Sequence, residues 1–365
     1  MRVGILTGGG DCQGLNASIR AVAKSLMLNC QAEIIGIEDG FAGLLERRVH
    51  PLSYADCSGI LSLGGTILGT SNKASPFNYE GTDCSVEVMA YYRELGLDAI
   101  VMIGGDGTMS IAYELSKLGM NIVGVPKTID NDLMCTERTF GFDTAVAIVT
   151  EAIDRLRTTG HSHKRVMILE TMGRYAGWIA LHAGIAGGAD IILIPEYPYD
   201  IDEVVKACKL RASDKHYSII VVAEGAKSKG EDFTVHQIIK NSPDPLRLGG
   251  IADRLKQQLE QQLDAEVRAS SLGHIQRGGS PTAFDRVFAT NVGCHAASLV
   301  ASKRFGHVVV MQNGKLTSVK LEQVANLSRT IPPDDMSLIS ALSLGISFGD
   351  PELSIQTDDL KLADV

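Results

Sequence analysis

Two stretches hold residue types that could do chemistry. The first is Gly104-Gly105-Asp106-Gly107-Thr108; the second is Pro126-Lys127-Thr128-Ile129-Asp130-Asn131-Asp132. Consecutive glycines let backbone N–H groups close on phosphate oxygens with no Cβ in the way. A carboxylate such as Asp106 beside phosphates calls for a cation between them, and Mg²⁺ is the usual one. Asp130 and Asp132 are two apart, so on extended backbone they point the same way. Two like charges so close suit a metal, a cationic partner or a proton-transfer task. The competing reading of Asp-Asn-Asp is an ordinary polar turn. The site reading is favoured because each stretch follows a short apolar run, residues 99–103 and 122–125, with the length of a buried parallel strand. Residues 110–118 between them have helical spacing. In open α/β sheets ligands sit at the carboxyl ends of the strands, so both loops are expected to face one crevice.

The elements that must position these loops alternate along the chain. Residues 2–7 read as a strand running into Gly8-Gly9-Gly10-Asp11, with Asn16 able to cap a helix over 17–26. This loop matches neither the dinucleotide fingerprint nor the P-loop spacing, and a plain tight turn explains it equally well. Residues 33–37 read as a strand. Gly69-Thr70-Ser71-Asn72-Lys73 adds one cation, Lys73, on a small-residue loop. After Asp132 the spacing predicts a helix over 142–157 capped by Asp143. Strands follow at 165–169, 191–194, 218–223 and 265–272, and helices near 176–186, 201–210, 253–263 and 283–301. Residues 307–312 and 315–319 flank Asn313-Gly314, the clearest hairpin signal. Residues 225–230 read as a mobile loop, and the part beyond Pro333 shows little pattern. Strand–helix alternation twice over argues for two α/β units.

In the second half the strand ends carry Arg165, Arg174, Arg268, Arg277 and His274, with one acid, Glu224. Arginines with a histidine make an anion pocket suited to a phosphate monoester, and the glutamate suits a hydroxyl of the same ligand. For any single arginine a surface ion pair is the commoner explanation.

Composition excludes some classes. The chain has 365 residues and a net charge of −9, which argues against a general nucleic-acid binder. No apolar run approaches the length of a membrane span. The opening MRVGILTGGG has no apolar stretch followed by a cleavage site, so no signal peptide is expected. Seven scattered cysteines without a C-x-x-C pair fit reduced thiols in a cytoplasmic protein.

Taken together, the chain resembles the bacterial-type phosphofructokinase family from Arg2 to about Asn313. The resemblance is carried by Gly9-Gly10-Asp11, Gly64-Gly65-Thr66, Gly104 to Thr108, Thr128 to Asp132, Met172-Gly173-Arg174 and Gly273-His274-Ile275-Gln276-Arg277-Gly278-Gly279-Ser280-Pro281. It implies two doubly wound three-layer α/β/α units with mainly parallel sheets and an active site in the cleft between them. The nucleotide-binding unit would be 1–141 plus about 276–325, and the sugar-phosphate unit about 142–275 plus 326–365. The activity implied is phosphoryl transfer from Mg-ATP to the 1-hydroxyl of fructose 6-phosphate. Gly9, Lys73, Gly105, Asp106, Gly107 and Thr108 would bind the donor, with Asp106 holding Mg²⁺. Thr128, Ile129 and Asp130 would meet the sugar phosphate, Asp130 as general base, with Asp132 supporting the metal side. Met172, Gly173 and Arg174 would line the acceptor site, Arg174 also steadying transition-state charge. Glu224 would grip a hydroxyl, and His274 and Arg277 the 6-phosphate. Arg165 and Arg268 would reach a neighbouring subunit's phosphate, implying a homo-oligomer, a dimer or tetramer, with no nucleic-acid or membrane partner.

The donor turns on two positions. Pyrophosphate users of the family typically carry Asp where this chain has Gly107, and Lys where it has Lys127. Gly107 leaves room for the α-phosphate of ATP, so ATP is expected, with pyrophosphate the alternative. Asn72-Lys73 replaces the family's usual arginine. The family's allosteric nucleotide site keeps Arg20 and Arg157 but has Ser213, Lys215 and His216 where a basic cluster is expected, so weak or no activation by ADP is expected. A wider acceptor range, such as sedoheptulose 7-phosphate, and a catalytically silent binding subunit are the remaining alternatives.

Overall fold

The computed structural model describes residues 1–238 and 246–353. Their contacts divide into two units. The first holds Met1–Thr144 and Arg277–Arg329. The second holds Ala145–Ile238, Leu246–Gln276 and residues 330–353. No helix among the described residues is long and apolar enough to cross a membrane.

The first unit is built on an eight-stranded sheet. Its central strands Glu33–Ile37, Arg2–Thr7, Ala99–Gly104 and Ile122–Thr128 are adjacent in that order and parallel. Each edge is closed by an antiparallel strand, Val49–Leu52 at one and the hairpin His307–Gln312 with Lys315–Lys320 at the other. The hairpin turns through Asn313 and Gly314, both at positive φ, as a two-residue turn of this type requires. Leu6, Ile100 and Met102 pack into a core with the helices Ser85–Glu94 and Asp106–Lys117. The alternate residues Ile5, Val101 and Ile103 are equally buried. Both faces of these strands are therefore covered, which is why their sequences run apolar without alternation. The helices Leu15–Cys30 and Ala283–Ala301 pack closely against one another, and Gly293 allows it, since a Cβ there would stand 2.9 Å from the Ser18 carbonyl oxygen.

The second unit carries a four-stranded, fully parallel sheet in the order Val267–Ser271, Val166–Thr171, Ser218–Ala223, Ile191–Leu193. Val166, Ile168, Ile220 and Val222 face the helices Ile201–Asp214 and Ile251–Glu260, and Ile192 faces the helix Trp178–Ala186 across Gly184. Buried Glu170 shows how the unit satisfies its helix ends. Its carboxylate accepts from Gly250 N–H (3.1 Å) and Ala252 N–H (2.9 Å), capping a helix whose own N-cap residue, Gly250, has no side chain to do so. Glu170→Ala is expected to cost about 2 kcal/mol, and Glu170→Gln less, read as a shift in the denaturant midpoint.

Several sequence expectations change. The helix expected from residue 110 starts at Asp106. The helix after Gly14 starts at Leu15, so Asn16 is not its cap; instead its amide donates to Leu63 and Gly64 carbonyls and accepts from Ile67 N–H. Asp143 lies inside the first turn of Phe142–His163, where it accepts from Thr282 Oγ1. Residues 225–230 are tied down: Ser228 bridges Tyr199, and Tyr199 exchanges backbone hydrogen bonds with Lys227 and Lys229. Beyond Pro333 a helix, Met336–Ser343, is capped by the Asp335 carboxylate.

Candidate active site

In the first unit the chain order reverses between Arg2–Thr7 and Ala99–Gly104, the switch point at which open sheets bind ligands. Register puts Thr7 beside Ile103 and Gly104 beside Pro126, so Gly8 and Gly105 leave the sheet at the end where the strand bearing Lys127 closes. The loops are locked together there. Gly8 N–H donates to the Ile103 carbonyl at 2.9 Å, and Thr70 Oγ1 to the Gly9 carbonyl at 2.6 Å. The latter bond places the loop bearing exposed Lys73 against Gly9. Thr108 is buried with its side chain against Gly8 and Gly104: a Cβ would come within 2.6 Å and 2.3 Å of its Oγ1. Thr108 is thus the post around which both loops turn. The helix Asp106–Lys117 has no side-chain cap, so its first N–H groups are left for an anion, and half-buried Asp106 stands in that first turn.

Lys127 is 3 % exposed, and its Nζ donates to the Gly10 carbonyl. Burial pushes its pKa down, with the nearby Arg277 guanidinium adding to the effect and the Cys12 and Asp130 groups opposing it. Arg277 Nη1 donates to the Asp11 carbonyl at 3.0 Å and lies against Gly10. The cations Lys127 and Arg277 therefore stand over the first glycine loop.

Asp130 is 5 % exposed, and its Oδ1 has no hydrogen-bond partner in the structure. Its own N–H donates to Thr128 Oγ1 at 3.1 Å. Ile129 is fully buried, backbone and side chain alike, so it offers no surface to the sugar phosphate expected to meet it. The stretch is not extended, because Asn131 sits at φ 53. The i, i+2 rule from which Asp130 and Asp132 were expected to point alike does not apply here, since it holds only on extended backbone. Elsewhere in this unit Asp285 is fully buried and accepts from Thr144 N–H at 2.8 Å. Burial pushes its carboxyl up to about 6, against the Thr144 hydrogen bonds. The folded chain holds this proton more tightly than the unfolded one. Asp285 thus contributes stability that is full below the ordinary carboxyl range and lost as pH rises through about 6. Asp285→Asn is expected to flatten the fall in melting temperature between about pH 4 and pH 6.

In the second unit Met172-Gly173-Arg174 leaves the strand Val166–Thr171 as a tight turn. Gly173 has φ 141 and Arg174 φ 50. Met172 N–H donates to Gln276 Oε1 (3.2 Å) and Arg174 N–H to Glu224 Oε1 (3.0 Å), while Gly225 lets the Arg174 carbonyl approach. Arg174 and Glu224 are thereby held together at one end of the sheet, and exposed His274 follows the neighbouring strand in the 3-10 turn Gly273–Arg277. Gln276, quoted in the motif but given no role of its own in the sequence reading, fixes this turn. Arg165 and Arg268 are elsewhere. They stand at the starts of Val166–Thr171 and Val267–Ser271, both paired with Glu266. In a parallel sheet that edge is about 20 Å from the strand ends. One pocket of five cationic groups is therefore not what the second unit builds, and Arg277 belongs to the first unit.

The family model for phosphofructokinase matches residues 2–300. The chain belongs to the phosphofructokinase family. Among its relatives, a Clostridium perfringens protein named ATP-dependent 6-phosphofructokinase 2 is 47 % identical over 360 residues, 96 % of this chain and 98 % of that one. An Amycolatopsis methanolica protein named pyrophosphate–fructose 6-phosphate 1-phosphotransferase is 48 % identical over 335 residues, 92 % of this chain and 97 % of that one. The solved Pichia pastoris phosphofructokinase in the T-state aligns with a TM-score of 0.78 and 28 % identity, covering 97 % of this chain, which spans 38 % of that longer one. The mixed α/β architecture with mainly parallel sheets is that of the family's solved structures.

Proposed function

We propose that this phosphofructokinase transfers the terminal phosphoryl group of ATP to the 1-hydroxyl of fructose 6-phosphate, giving fructose 1,6-bisphosphate and ADP. The observation that carries this reading is Asp130: a buried carboxylate oxygen without a partner, beside two glycine loops and an uncapped helix start. Such an oxygen is poised to take a hydroxyl proton. Gly9, Gly105, Gly107 and Thr108 bind donor phosphates through their backbone, and Lys73 approaches from the adjoining loop. Mg²⁺, which Asp106 would hold, would neutralise phosphate charge. No group of three or more His, Cys, Asp or Glu able to hold a metal occurs among the described residues. Asp106 fits the need all the same, because Mg²⁺ is held by one or two carboxylates with phosphate oxygens and water completing its shell.

On the acceptor side, Thr128 meets the sugar phosphate next to Asp130. Met172, Gly173, Arg174 and Glu224 line the sugar, and His274 and Arg277 take the 6-phosphate. Positioning and charge neutralisation then supply most of the catalysis. Arg165 and Arg268 serve a neighbouring copy, which makes the active form a homo-oligomer; their place at the far edge of the second sheet supports that division of labour. The seven unpaired cysteines support a cytoplasmic setting.

Pyrophosphate is the second reading for the donor, favoured by Lys127 over the first glycine loop and by the Amycolatopsis relative's name. Assay of the purified protein with each donor decides: turnover with ATP is expected, and turnover with pyrophosphate alone overturns the choice.

A further inference from the structure

We propose that Arg329 and Thr139 are positioning residues that set the Asp130 carboxylate for proton transfer. The proposal rests on the reading of Asp130 as the base. Because Asp130 Oδ1 bonds to nothing, the aim of the carboxylate has to come from the backbone that carries it. That backbone is a turn strained at Asn131, whose φ is 53, and a residue held there persists only where its surroundings over-determine it.

Two separate segments supply the restraint. Thr139, fully buried, donates from Oγ1 to the Thr128 carbonyl at 2.8 Å, and from its N–H to Asn131 Oδ1 at 3.0 Å. The next residues, Phe140–Gly141, pair with Lys127 and Thr128 as a short parallel strand. On the other side Arg329 closes the turn. Its N–H donates to the Asp132 carbonyl at 2.7 Å, and its guanidinium to the Asn131 carbonyl at 3.2 Å from Nε and 2.8 Å from Nη2. Nη2 also reaches the Glu137 carbonyl at 3.2 Å, and Ser328 bridges Leu133. The carbonyls of residues 128, 131 and 132 are thus fixed on both flanks of Asp130. A side chain that clamps a catalytic turn by its carbonyls governs geometry rather than affinity, and a misplacement of about 1 Å is enough to cost 10²-fold in rate.

The test is a double-mutant cycle at saturating donor and acceptor. Arg329→Ala and Thr139→Val are each expected to lower kcat by about tenfold to 10²-fold, with the KM of both substrates within about threefold of the parent's. Thr139→Ser should keep parental kcat, and added guanidinium should restore part of the Arg329→Ala loss. In an Asp130→Asn background Arg329→Ala should cost nothing further, because a residue acting through Asp130 has nothing left to position. Losses that multiply in that background, or Arg329→Ala and Thr139→Val chains with parental kcat and only a lower melting temperature, overturn the proposal while leaving Asp130 as the base. Parental turnover in Asp130→Asn itself overturns the reading of the base instead. Should Arg329→Ala yield no folded protein, Arg329→Lys, which keeps one donor head but not the fork, is judged by the same kcat criterion.

Discussion

Replacing Asp130 with asparagine should leave a folded chain that still binds fructose 6-phosphate and turns it over on the order of 10³-fold more slowly. The substitution keeps shape and volume in a side chain that is 5 % exposed, so packing is undisturbed. It keeps the backbone bond from Asp130 N–H to Thr128 Oγ1. It removes the basicity of an oxygen that the fold leaves unpaired, together with a charge that favours the protonated form of buried Lys127. A buried polar atom without a partner is a stability cost, and its presence at a turn this well restrained marks a site where stability has been given up for function. The melting temperature should therefore stay level or rise slightly. Steady-state kinetics give the rate, and calorimetric titration with fructose 6-phosphate gives the retained affinity. Full turnover in the variant would remove Asp130 from the mechanism. A parent chain without turnover on either donor would instead support the silent binding subunit.

The parts of the fold that could be read from the sequence are those whose pattern follows from local physics. The strands Ala99–Gly104 and Ile122–Thr128 are covered on both faces, and so spell continuous apolar runs. The hairpin at Asn313-Gly314 shows because few residues accept two successive positive φ values. The start of the helix at Asp106 was hidden by Gly107, a poor helix former. In the first turn, whose N–H groups have no helical partner anyway, a glycine interrupts no hydrogen bond. The strand-end arginines were legible as residues near strands, but not as belonging to opposite edges of the sheet, because a sequence position does not say which end of a strand its neighbours serve. Glu170, Thr139 and Arg329 were missed for a different reason. Each works by bonding backbone groups brought near only by the fold, 82, 11 and 198 positions away at the farthest, and backbone groups leave no residue-type signature.

Gly107→Asp should abolish most ATP-dependent turnover without loss of fold. Gly107 is exposed in the first turn of Asp106–Lys117, and no atom lies within 4 Å of the place a Cβ would occupy. Its φ is not in the left-handed region, so the backbone does not require glycine either. On stability grounds the substitution should be neutral or favourable, since an acid in a first helical turn complements the dipole and glycine costs helix about 0.5–1 kcal/mol. On the proposed reading, a glycine that neither packing nor backbone demands, at the mouth of an uncapped helix start, is there because the ATP donor passes over it. A carboxylate there would add bulk and place a like charge against the α-phosphate of ATP. Juxtaposed like charges cost several kcal/mol, a loss on the order of 10²-fold in kcat/KM for ATP. Pyrophosphate has no α-phosphate or nucleoside to accommodate, so with buried Lys127 already over the first glycine loop its use should be spared or improved. The ratio of kcat/KM for the two donors, measured in parent and variant, is the readout. If ATP turnover falls with that ratio unchanged, the variant has damaged the loop rather than selected between donors, and the steric account of Gly107 fails. If Gly107→Ala, which adds bulk without charge, costs as much as Gly107→Asp, the space matters more than the repulsion.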